Sequence, residues 1–405
     1  MPVLLIGTLD TKGVEFQFVR DALQRAWVET LVIDAGVTGP PAFAPDITRD
    51  EVFRAAGTTL EAIVKAGDRG KAIEAAAAGA ARLASRLHDE GKVEGVLSLG
   101  GSAGTTIGTA AMRTLPFGIP KLMVSTLASG QVKPYVGVRD IMMMYSVVDI
   151  SGLNRISRTV LSNAAQAMIG MVSSTRPTLD VRSDKPLLTA TMFGVTTPCV
   201  EAGRKILEAA GFEVLVFHAT GTGGMTMEAF IRDGLISGVF DITTTELADE
   251  LVGGVLTAGP DRLTAAAMAG APQVISIGAL DMVNFGPPDT VPTRFKDRKF
   301  YHHNPTVTLM RTTPEENDKL GKEIAQKASA AKGPTAIFLP LRGVSAIDAE
   351  GKPFWWPEAD KALFDSIRLW KAPAVELVEM DVHINDPAFA EAAARKLLSM
   401  LKIGS

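Results

Sequence analysis

The sequence has one cysteine, little aromatic character and almost no excess of charge of either sign. Its single thiol, Cys199, cannot form a disulfide within the chain, and it cannot build a cysteine-rich zinc site. The 41 Lys and Arg residues against 45 Asp and Glu residues give a formal net charge of −4. A chain so close to neutral has no basic surface for nucleic acid or anionic lipid, so neither is predicted as a partner.

Long apolar runs are also scarce. A run of 18 residues without charge, residues 95–112, has the length of a membrane helix, but five of its residues are glycine and five are Ser or Thr. Such a stretch is too polar and too flexible to be read as a membrane span. The amino terminus has no basic leader before the apolar residues 3–6. We therefore expect a cytoplasmic protein with no membrane segment.

Short apolar runs alternate with helical patterns along both halves of the chain. Residues 3–6, 30–33 and 93–99 are runs of the kind that form buried parallel strands. The alternation stops at a polar, proline-bearing segment, residues 173–186, and then restarts. We predict an α/β fold of two doubly wound, Rossmann-like subdomains with mostly parallel sheets and a cleft between them. The predicted domains are residues 1–180, which bind nucleotide, and residues 181–405, which bind substrate.

Glycine-rich turns follow three of the predicted strands, at residues 7–13, 99–106 and 218–225. Glycine lets the backbone approach a ligand closely, and free N–H groups at a helix start bind anions. None of the turns matches the P-loop or the G-x-G-x-x-G pattern, and tight turns also need glycine without any ligand. Three such turns at the carboxyl ends of strands nevertheless favour an anion or nucleotide site.

Polar side chains accompany these turns. Asp10 offers a carboxylate for Mg²⁺ or a ribose hydroxyl, and Lys12 offers a point charge for a phosphate. The alternative for Asp10 is a structural cap of the helix that follows. In the other turns, the predicted phosphate or metal contacts include Ser102, Thr105 and Thr106, and the predicted substrate contacts include Gly223 and Gly224.

Residues 278–313 form an unusually polar stretch with two of the five histidines, several arginines and four prolines. A long loop inside a compact domain is usually functional, so we predict that it lines a site. We expect His303 to act as a general acid or base with Asp281 or Asn284 as its orienter or as a ligand, although the choice between His302 and His303 stays open. The alternative is a structural lid whose arginines form ion pairs. The other predicted residues are Arg298 as a catalytic clamp and Asn284, Arg294, Asn304 and Arg311 as substrate contacts.

Four motifs together resemble a known family. They are G-T-L-D-T-K-G at residues 7–13, G-G-S-A-G-T at 100–105, G-A-L-D-M-V-N-F-G at 278–286 and H-H-N-P at 302–305. This combination is similar to the UPF0261, or Tm-1-like ATP-binding, family, and the resemblance covers essentially the whole chain. It implies two α/β subdomains with ATP on the N-terminal one, and it implies no particular reaction. The contacts to ATP or phosphate that it implies are Asp10, Thr11, Gly100, Gly101, Ser102, Gly104 and Thr105.

The residues and the resemblance together lead to one function and two alternatives. The first is an enzyme that binds ATP with Mg²⁺ and acts on a small anionic metabolite, by phosphoryl transfer or carboxylate activation. The second is a lyase or hydrolase that uses His303 and Asp281 without ATP turnover. The third is a non-catalytic nucleotide-binding module that regulates a partner. The aromatic residues Trp355 and Trp356 suggest an interface, so we also expect a homo-oligomer.

Overall fold

A computed structural model describes residues 1–173 and 185–401 of the chain. The chain separates into two compact units, Met1–Leu179 (the first unit) and Asp180–Ser405 (the second unit). The predicted boundary at residues 180 and 181 lies outside the described residues. Each unit has a mostly parallel sheet with helices, so the predicted doubly wound α/β fold class is confirmed.

The first unit has five strands and seven helices within residues 1–173. Its strands are β1 (Val3–Gly7), β2 (Thr30–Asp34), β3 (Gly95–Gly100), β4 (Lys121–Ser125) and β5 (Met142–Tyr145). Its helices are α1 (Leu9–Arg25), α2 (Arg49–Ala55), α3 (Leu60–Ala66), α4 (Arg69–Asp89), α5 (Ser102–Thr114), α6 (Lys133–Val136) and α7 (Arg155–Val172).

The sheet of the first unit has the strand order β2-β1-β3-β4-β5, and all its neighbouring strands are parallel. Every residue of β1, β3 and β4 is buried, because helices cover both faces of a parallel sheet and leave no side for water. The strand order reverses between β1 and β3. In doubly wound sheets, ligands bind beyond the carboxyl ends of the strands at this switch point.

The second unit is built from nine strands and seven helices within residues 185–401. Its strands are β6 (Leu187–Met192), β7 (Glu213–His218), β8 (Gly238–Thr243), β9 (Gln273–Gly278), β10 (Met282–Phe285), β11 (Phe300–Asn304), β12 (Val307–Arg311), β13 (Thr335–Pro340) and β14 (Glu376–Met380). Its helices are α8 (Thr197–Ala209), α9 (Thr222–Arg232), α10 (Glu246–Val252), α11 (Ala265–Ala269), α12 (Pro314–Ser329), α13 (Pro357–Trp370) and α14 (Pro387–Leu401).

The large sheet of the second unit has the order β14-β13-β9-β8-β6-β7, again with parallel neighbours. Its first five strands in chain order repeat the arrangement of the first unit, with a switch point between β6 and β8. The chain's own loops pack over this point. The carbonyl of Val195, just beyond β6, accepts hydrogen bonds from the amide of Ala346 at 3.0 Å and from Asn385 Nδ2 at 2.9 Å.

Residues 278–313 are folded as a second, antiparallel sheet of order β10-β12-β11. The expectation of a long loop is therefore corrected. The strands are only four or five residues long, and the link between β10 and β11 contains two short 3-10 turns, Pro288–Thr290 and Thr293–Phe295. The small sheet packs with apolar residues on both faces, Phe285 and Met310 in one cluster and Met282 and Leu309 in another.

No helix among the described residues is long and apolar enough to cross a membrane.

Candidate functional site

A cavity of about 610 Å³ lies in the first unit, beyond the carboxyl ends of β1, β2 and β3. We call it the switch-point cavity, because Thr8 lines it just after β1 and Ala103 lines it from the start of α5, which follows β3. Its apolar lining residues include Ile63, Ile73 and Ile107. Its polar and charged lining residues are Thr8, Asp10, Thr11, Thr38, Asp68 and Arg69.

Asp10 connects the first turn to the segment after β2. Its Oδ2 accepts hydrogen bonds from the amides of Val37 at 2.9 Å, Thr38 at 2.7 Å and Gly39 at 3.3 Å, and from the Thr38 hydroxyl at 2.8 Å. Burial works to raise the pKa of Asp10, but these bonds and the charge of Arg49 outweigh it and hold that pKa below its usual range. Asp10 therefore holds a loop that forms part of the cavity wall.

This arrangement is relevant to both predicted roles of Asp10, which are a ligand for Mg²⁺ or a ribose hydroxyl and a cap of the helix that follows. Its side chain is only 2% exposed, and its Oδ1 is buried without a hydrogen-bond partner beside Gly36. Asp10 does not cap its own helix, because its carboxylate accepts from residues 37–39. No group of three or more His, Cys, Asp or Glu side chains among the described residues is placed to hold a metal ion. Magnesium at Asp10 stays a prediction that needs this carboxylate to open and phosphate or water oxygens to complete the site.

Asp34, at the end of β2, caps the start of helix α1, which is the alternative role that the sequence predicts for Asp10. Its Oδ1 accepts the amide of Leu9, the first residue of α1, at 3.0 Å. Its Oδ2 pairs with Arg49 at 2.8 Å to Nε and 2.6 Å to Nη2. Asp34 and Arg49 were missed in the sequence because they lie 25 and 40 residues from Leu9. A buried acid at the end of an apolar run is the signal that marks Asp34.

The turn after β3 is a helix start without a side-chain cap. Helix α5 begins at Ser102, so the first amides of the helix have no intrahelical partner and point out of its end. A Cβ on Gly100 would lie 2.8 Å from the Cα of Gly104, so close strand-to-helix packing already requires glycine at position 100. A Cβ on Gly101 would meet only Thr126 Oγ1, at 3.7 Å.

The hydroxyl groups predicted for phosphate divide into two kinds. Thr105 is fully buried, and its Oγ1 donates to the Gly101 carbonyl and shares a 2.7 Å hydrogen bond with Ser125 Oγ. Thr106 Oγ1 donates back to the Ser102 carbonyl at 2.9 Å. Thr11 and Ser102 are exposed, and Thr11 lines the cavity. Lys12 is half-buried at a kink in α1 and is not among the lining residues.

The glycine turn of the second unit already contains an anion, supplied by the protein. Glu246 Oε1 accepts the amides of Gly221 at 2.7 Å and Gly224 at 3.1 Å. A Cβ on Gly224 would overlap the Glu246 carboxylate, and a Cβ on Gly223 would overlap the carbonyl of His218. The amide of Gly224 therefore has an internal partner, whereas a substrate contact at Gly223 stays a prediction.

Glu246 belongs to a buried charge cluster around Arg262. The guanidinium group donates to Glu246 Oε2 at 2.7 Å and to both oxygens of Asp241 at 2.6 and 2.7 Å. Glu228 lies 3.4 Å from it and also accepts the amides of Leu263 and Ala265. Burial raises the pKa of Glu246 above its usual range, against the opposing charge of Arg262. The cluster ties α9, β8, α10 and the segment before α11 together.

The structure does not bring the predicted catalytic pair together. In the small sheet, His302 lies opposite Thr308, which lies opposite Phe285. His303 lies beyond that row, whereas Asp281 precedes Met282 at the other end of β10. Four residues separate Asp281 from the row of Phe285, which is about 14 Å at ~3.4 Å per residue. His303 is exposed and Asp281 is fully buried, so the structure does not place the two side chains as an acid–base pair.

Most of the predicted clamps are used inside the protein. Arg298 forms a two-pronged pair with Glu316 at 2.9 and 2.6 Å, and Arg311 is fully buried against Asp360 at 2.6 Å. Asn284 is buried against Asp249, and Asn304 Oδ1 accepts from Thr306 in its own turn. These contacts match the alternative of arginines in structural ion pairs. Arg294 is exposed, lies over the ring of Phe295 at 4.6 Å and donates to the Val252 carbonyl at 3.4 Å, so it too has internal contacts.

Arg311 is the cation of a second buried cluster, with Asp281, Asp348 and Asp360. Ser345 Oγ donates to Asp281 Oδ2 at 2.8 Å, and the Val344 amide donates to Asp348 Oδ2 at 3.0 Å. Burial, reinforced by the charge of Asp348, raises the pKa of Asp281 well above its usual range. Burial raises the pKa of Asp360 to about 7. Asp281 therefore connects the segment after β9 to the loop after β13, and Arg311 connects the cluster to α13.

Comparison with known proteins covers the whole of the described chain. Residues 1–177 match the model of the Uncharacterised protein family (UPF0261) N-terminal domain, and residues 185–401 match that of the UPF0261 C-terminal domain. A UPF0261 protein of Clostridium tetani is 54% identical over 401 residues, which is 99% of each chain.

Two further proteins are similar to this chain to very different degrees. The ToMV resistance protein Tm-1(GCR237) of Solanum lycopersicum is 40% identical over 418 residues, and the match covers 98% of this chain and 55% of that protein. Among solved structures, the Streptomyces sp. SF2575 glycosyltransferase SsfS6 complexed with thymidine diphosphate covers 100% of this chain, and the match covers 96% of that one. Its identity of 14% and its TM-score of 0.18 carry no argument.

Proposed function

The chain belongs to the UPF0261 family, and we propose that its first unit binds ATP in the switch-point cavity. The observation that carries the proposal is the cavity's position, at the point where the strand order of a doubly wound sheet reverses. Its volume of about 610 Å³ lies within the range of ligand pockets. The resemblance of the 7–13 and 100–105 motifs to an ATP-binding family supports the same ligand.

The lining of the cavity suits the two parts of a nucleotide. Its apolar residues, which include Ile63, Ile73 and Ile107, offer a surface for a base. Its polar residues include Thr8 and Thr11, which offer hydroxyl groups. The free amides at the start of α5 add donors for phosphate, because helix starts carry partial positive charge.

Arg69 is the cation of this site. It begins α4, lines the cavity and is exposed. Within the described residues it forms no hydrogen bond or ion pair of its own. A guanidinium group without a partner beside a helix start is well suited to a phosphate, which it can bind through two parallel bonds.

We further propose that bound ATP supports a reaction on a small anionic metabolite, by phosphoryl transfer or carboxylate activation. Such chemistry needs positioning and charge neutralisation more than a protein nucleophile. The second candidate is binding without turnover, in a module that regulates a partner. It is favoured by the cavity's lining, whose charged side chains are Asp10, Asp68 and Arg69, with neither Lys nor His.

An assay of ADP formation distinguishes the two candidates. The full-length protein is incubated with ATP and Mg²⁺, alone and with a pool of small carboxylic acids, beside calorimetric titration with ATP. The enzyme proposal expects saturable binding and ADP that increases with one of the acids. The regulatory module expects binding without ADP under every condition. Absence of saturable ATP binding would reject both.

We also propose that the protein is cytoplasmic and self-associates. Strand β5 is an edge of the first sheet and carries Met142 and Tyr145, which are 47% and 44% exposed. An apolar edge strand without charge is a ready template for pairing with another strand. Light scattering on the purified protein tests this, and a monomer mass at about 50 µM, a concentration at which stable oligomers stay assembled, would reject it.

A further inference from the structure

A second, smaller cavity of about 200 Å³ lies in the second unit, between the small antiparallel sheet and the link from β10 to β11. Its apolar wall includes Val291, Pro292 and Phe300. Its polar residues include Lys296, His302 and Thr308. We call it the proline-lined cavity. It lies apart from the two buried charge clusters of this unit and shares no residue with them.

The side chains of Lys296 and His302 have no polar partner among the described residues. Both are exposed, and in the part of the chain that the structure describes neither forms a hydrogen bond or an ion pair. His302 lies directly opposite Thr308 on the neighbouring strand, so the two side chains share one face of the sheet. The cavity is therefore lined by one ammonium group from the link and by one imidazole and one hydroxyl from the sheet.

Thr308 supplies an independent observation. Its side chain is 1% exposed, and its Oγ1 is buried without a hydrogen-bond partner. Buried hydroxyl groups are nearly always hydrogen-bonded, so an orphan in a cavity wall calls for a partner that enters from the cavity. The hydroxyl can donate to a ligand oxygen, and Lys296 can neutralise that oxygen's charge.

We propose that the proline-lined cavity binds a small monocarboxylate with a branched apolar body. The carboxylate would accept from Lys296, His302 and Thr308, and the apolar body would contact Val291, Pro292 and Phe300. A volume of about 200 Å³ holds about seven water-sized groups at ~30 Å³ each, which sets the size of the ligand. The site is independent of nucleotide binding in the first unit.

The sequence predicts that residues 278–313 line a site, but most of the residues that it predicts for this site are not the ones that line the cavity. The side chains of Arg298, Arg311 and Asn284 form hydrogen bonds or ion pairs within the protein. Those of Lys296 and Thr308 form none within the described residues. His302, the neighbour of the predicted His303, is the histidine that lines the cavity. His303 lies where the strand pairing is irregular, between His302 and Asn304, and it does not line the cavity.

The test is a titration of the full chain with isovalerate, followed by NMR of the histidine ring protons in the absence of nucleotide. The five histidines make the spectrum simple to assign with single variants. We expect isovalerate to shift the His302 signal with saturation below about 50 mM, in the affinity range of small fragments. Isovaleramide has nearly the same shape without the charge, and it is expected to bind at least about tenfold more weakly.

Matched variants localise the effect. Lys296→Met and Thr308→Val are each expected to weaken isovalerate binding by about fivefold or more, the effect of losing a hydrogen bond to a charged group. Thr189→Val is the control for Thr308→Val, because Thr189 is also a buried strand threonine with an unpartnered hydroxyl outside the cavity. His303→Gln controls for the exposed surface. Both controls should bind as the parent protein does.

Three results would overturn the proposal. They are no saturable His302 shift up to about 50 mM isovalerate, equal binding of the acid and the amide, or unchanged binding in Lys296→Met and Thr308→Val. Thermal unfolding of each variant verifies that it is folded. Because the titration contains no ATP, its failure leaves the nucleotide proposal untouched, and failure of ATP binding leaves this one untouched.

Discussion

A single oxygen of Asp10 organises the wall of the switch-point cavity. It accepts from three consecutive amides, residues 37–39, and from one hydroxyl. Hydrogen bonds to a charged acceptor are stronger than neutral ones, so the loop is held chiefly by this carboxylate. The Asp34–Arg49 pair holds the same segment from its other side, since Arg49 Nη1 also donates to the Gly39 carbonyl.

We predict that Asp10→Asn lowers the free energy of unfolding of the first unit by about 1.5–3 kcal/mol, the cost of removing hydrogen bonds to a charged group. Because the pKa of Asp10 is lowered in the fold, its contribution is present above the unfolded-state pKa and is lost as pH falls through the folded-state value. Urea unfolding at pH 7 measures the effect. Asp21→Asn on the same helix is the control, and an equal loss in both variants would contradict the account.

At the scale of elements, the two glycine turns look alike in sequence and differ in structure. The turn before α5 leaves its first amides free, whereas the turn before α9 contains the carboxylate of Glu246. The pattern of glycines identified both turns as helix starts but could not tell them apart. Glu246 lies 22 residues beyond Gly224, so its approach depends on the tertiary fold.

We predict that Gly224→Ala lowers the free energy of unfolding of the second unit by about 1–3 kcal/mol, because the new methyl group overlaps the Glu246 carboxylate. Gly194→Ala is the matched control. It meets nothing within 4 Å and should change stability by less than about 0.5 kcal/mol. Urea unfolding followed by tryptophan fluorescence suits this test, because three of the four tryptophans, Trp355, Trp356 and Trp370, lie in the second unit. Equal stability of the two variants would contradict the internal role of this turn.

The sequence predicted the parallel strands well and the small sheet poorly. Parallel strands buried on both faces are continuous apolar runs, as in β1 and β9, and such runs are visible directly. Strands β10 to β12 are four or five residues long and are separated by prolines and charges, so the sequence pattern of this stretch predicts a loop. The partners of the Asp281 and Arg311 side chains depend on that sheet, so the sequence pattern does not predict them either.

At the scale of the whole molecule, the two units share a strand order but differ at the switch point. The first has a cavity there, and the second has loops whose amides bind the Val195 carbonyl. The second unit instead concentrates buried acids, including Asp249, whose pKa is raised by burial to about 7. Buried acids with raised pKa values make stability depend on pH.

We predict that the second unit becomes less stable as pH rises from about 4 to about 7. The folded state keeps Asp249 protonated over this window while the unfolded state releases the proton, so each such group lowers stability by up to about 1.4 kcal/mol per pH unit. Urea unfolding at pH 5, 6 and 7 measures the slope. Asp249→Asn should reduce the slope, and the exposed control Asp261→Asn should not; equal slopes in all three proteins would contradict the assignment.

The most direct test of the account is calorimetric titration of the parent protein, Arg69→Gln and Arg155→Gln with ATP. Both arginines are the first residue of a helix in the first unit and are exposed, but only Arg69 lines the switch-point cavity. We predict that Arg69→Gln weakens ATP binding by about tenfold or more, since a charge-assisted pair with phosphate is lost, and that Arg155→Gln binds as the parent does. Equal affinity of all three proteins, or no saturable binding by the parent, would contradict a nucleotide site in this cavity.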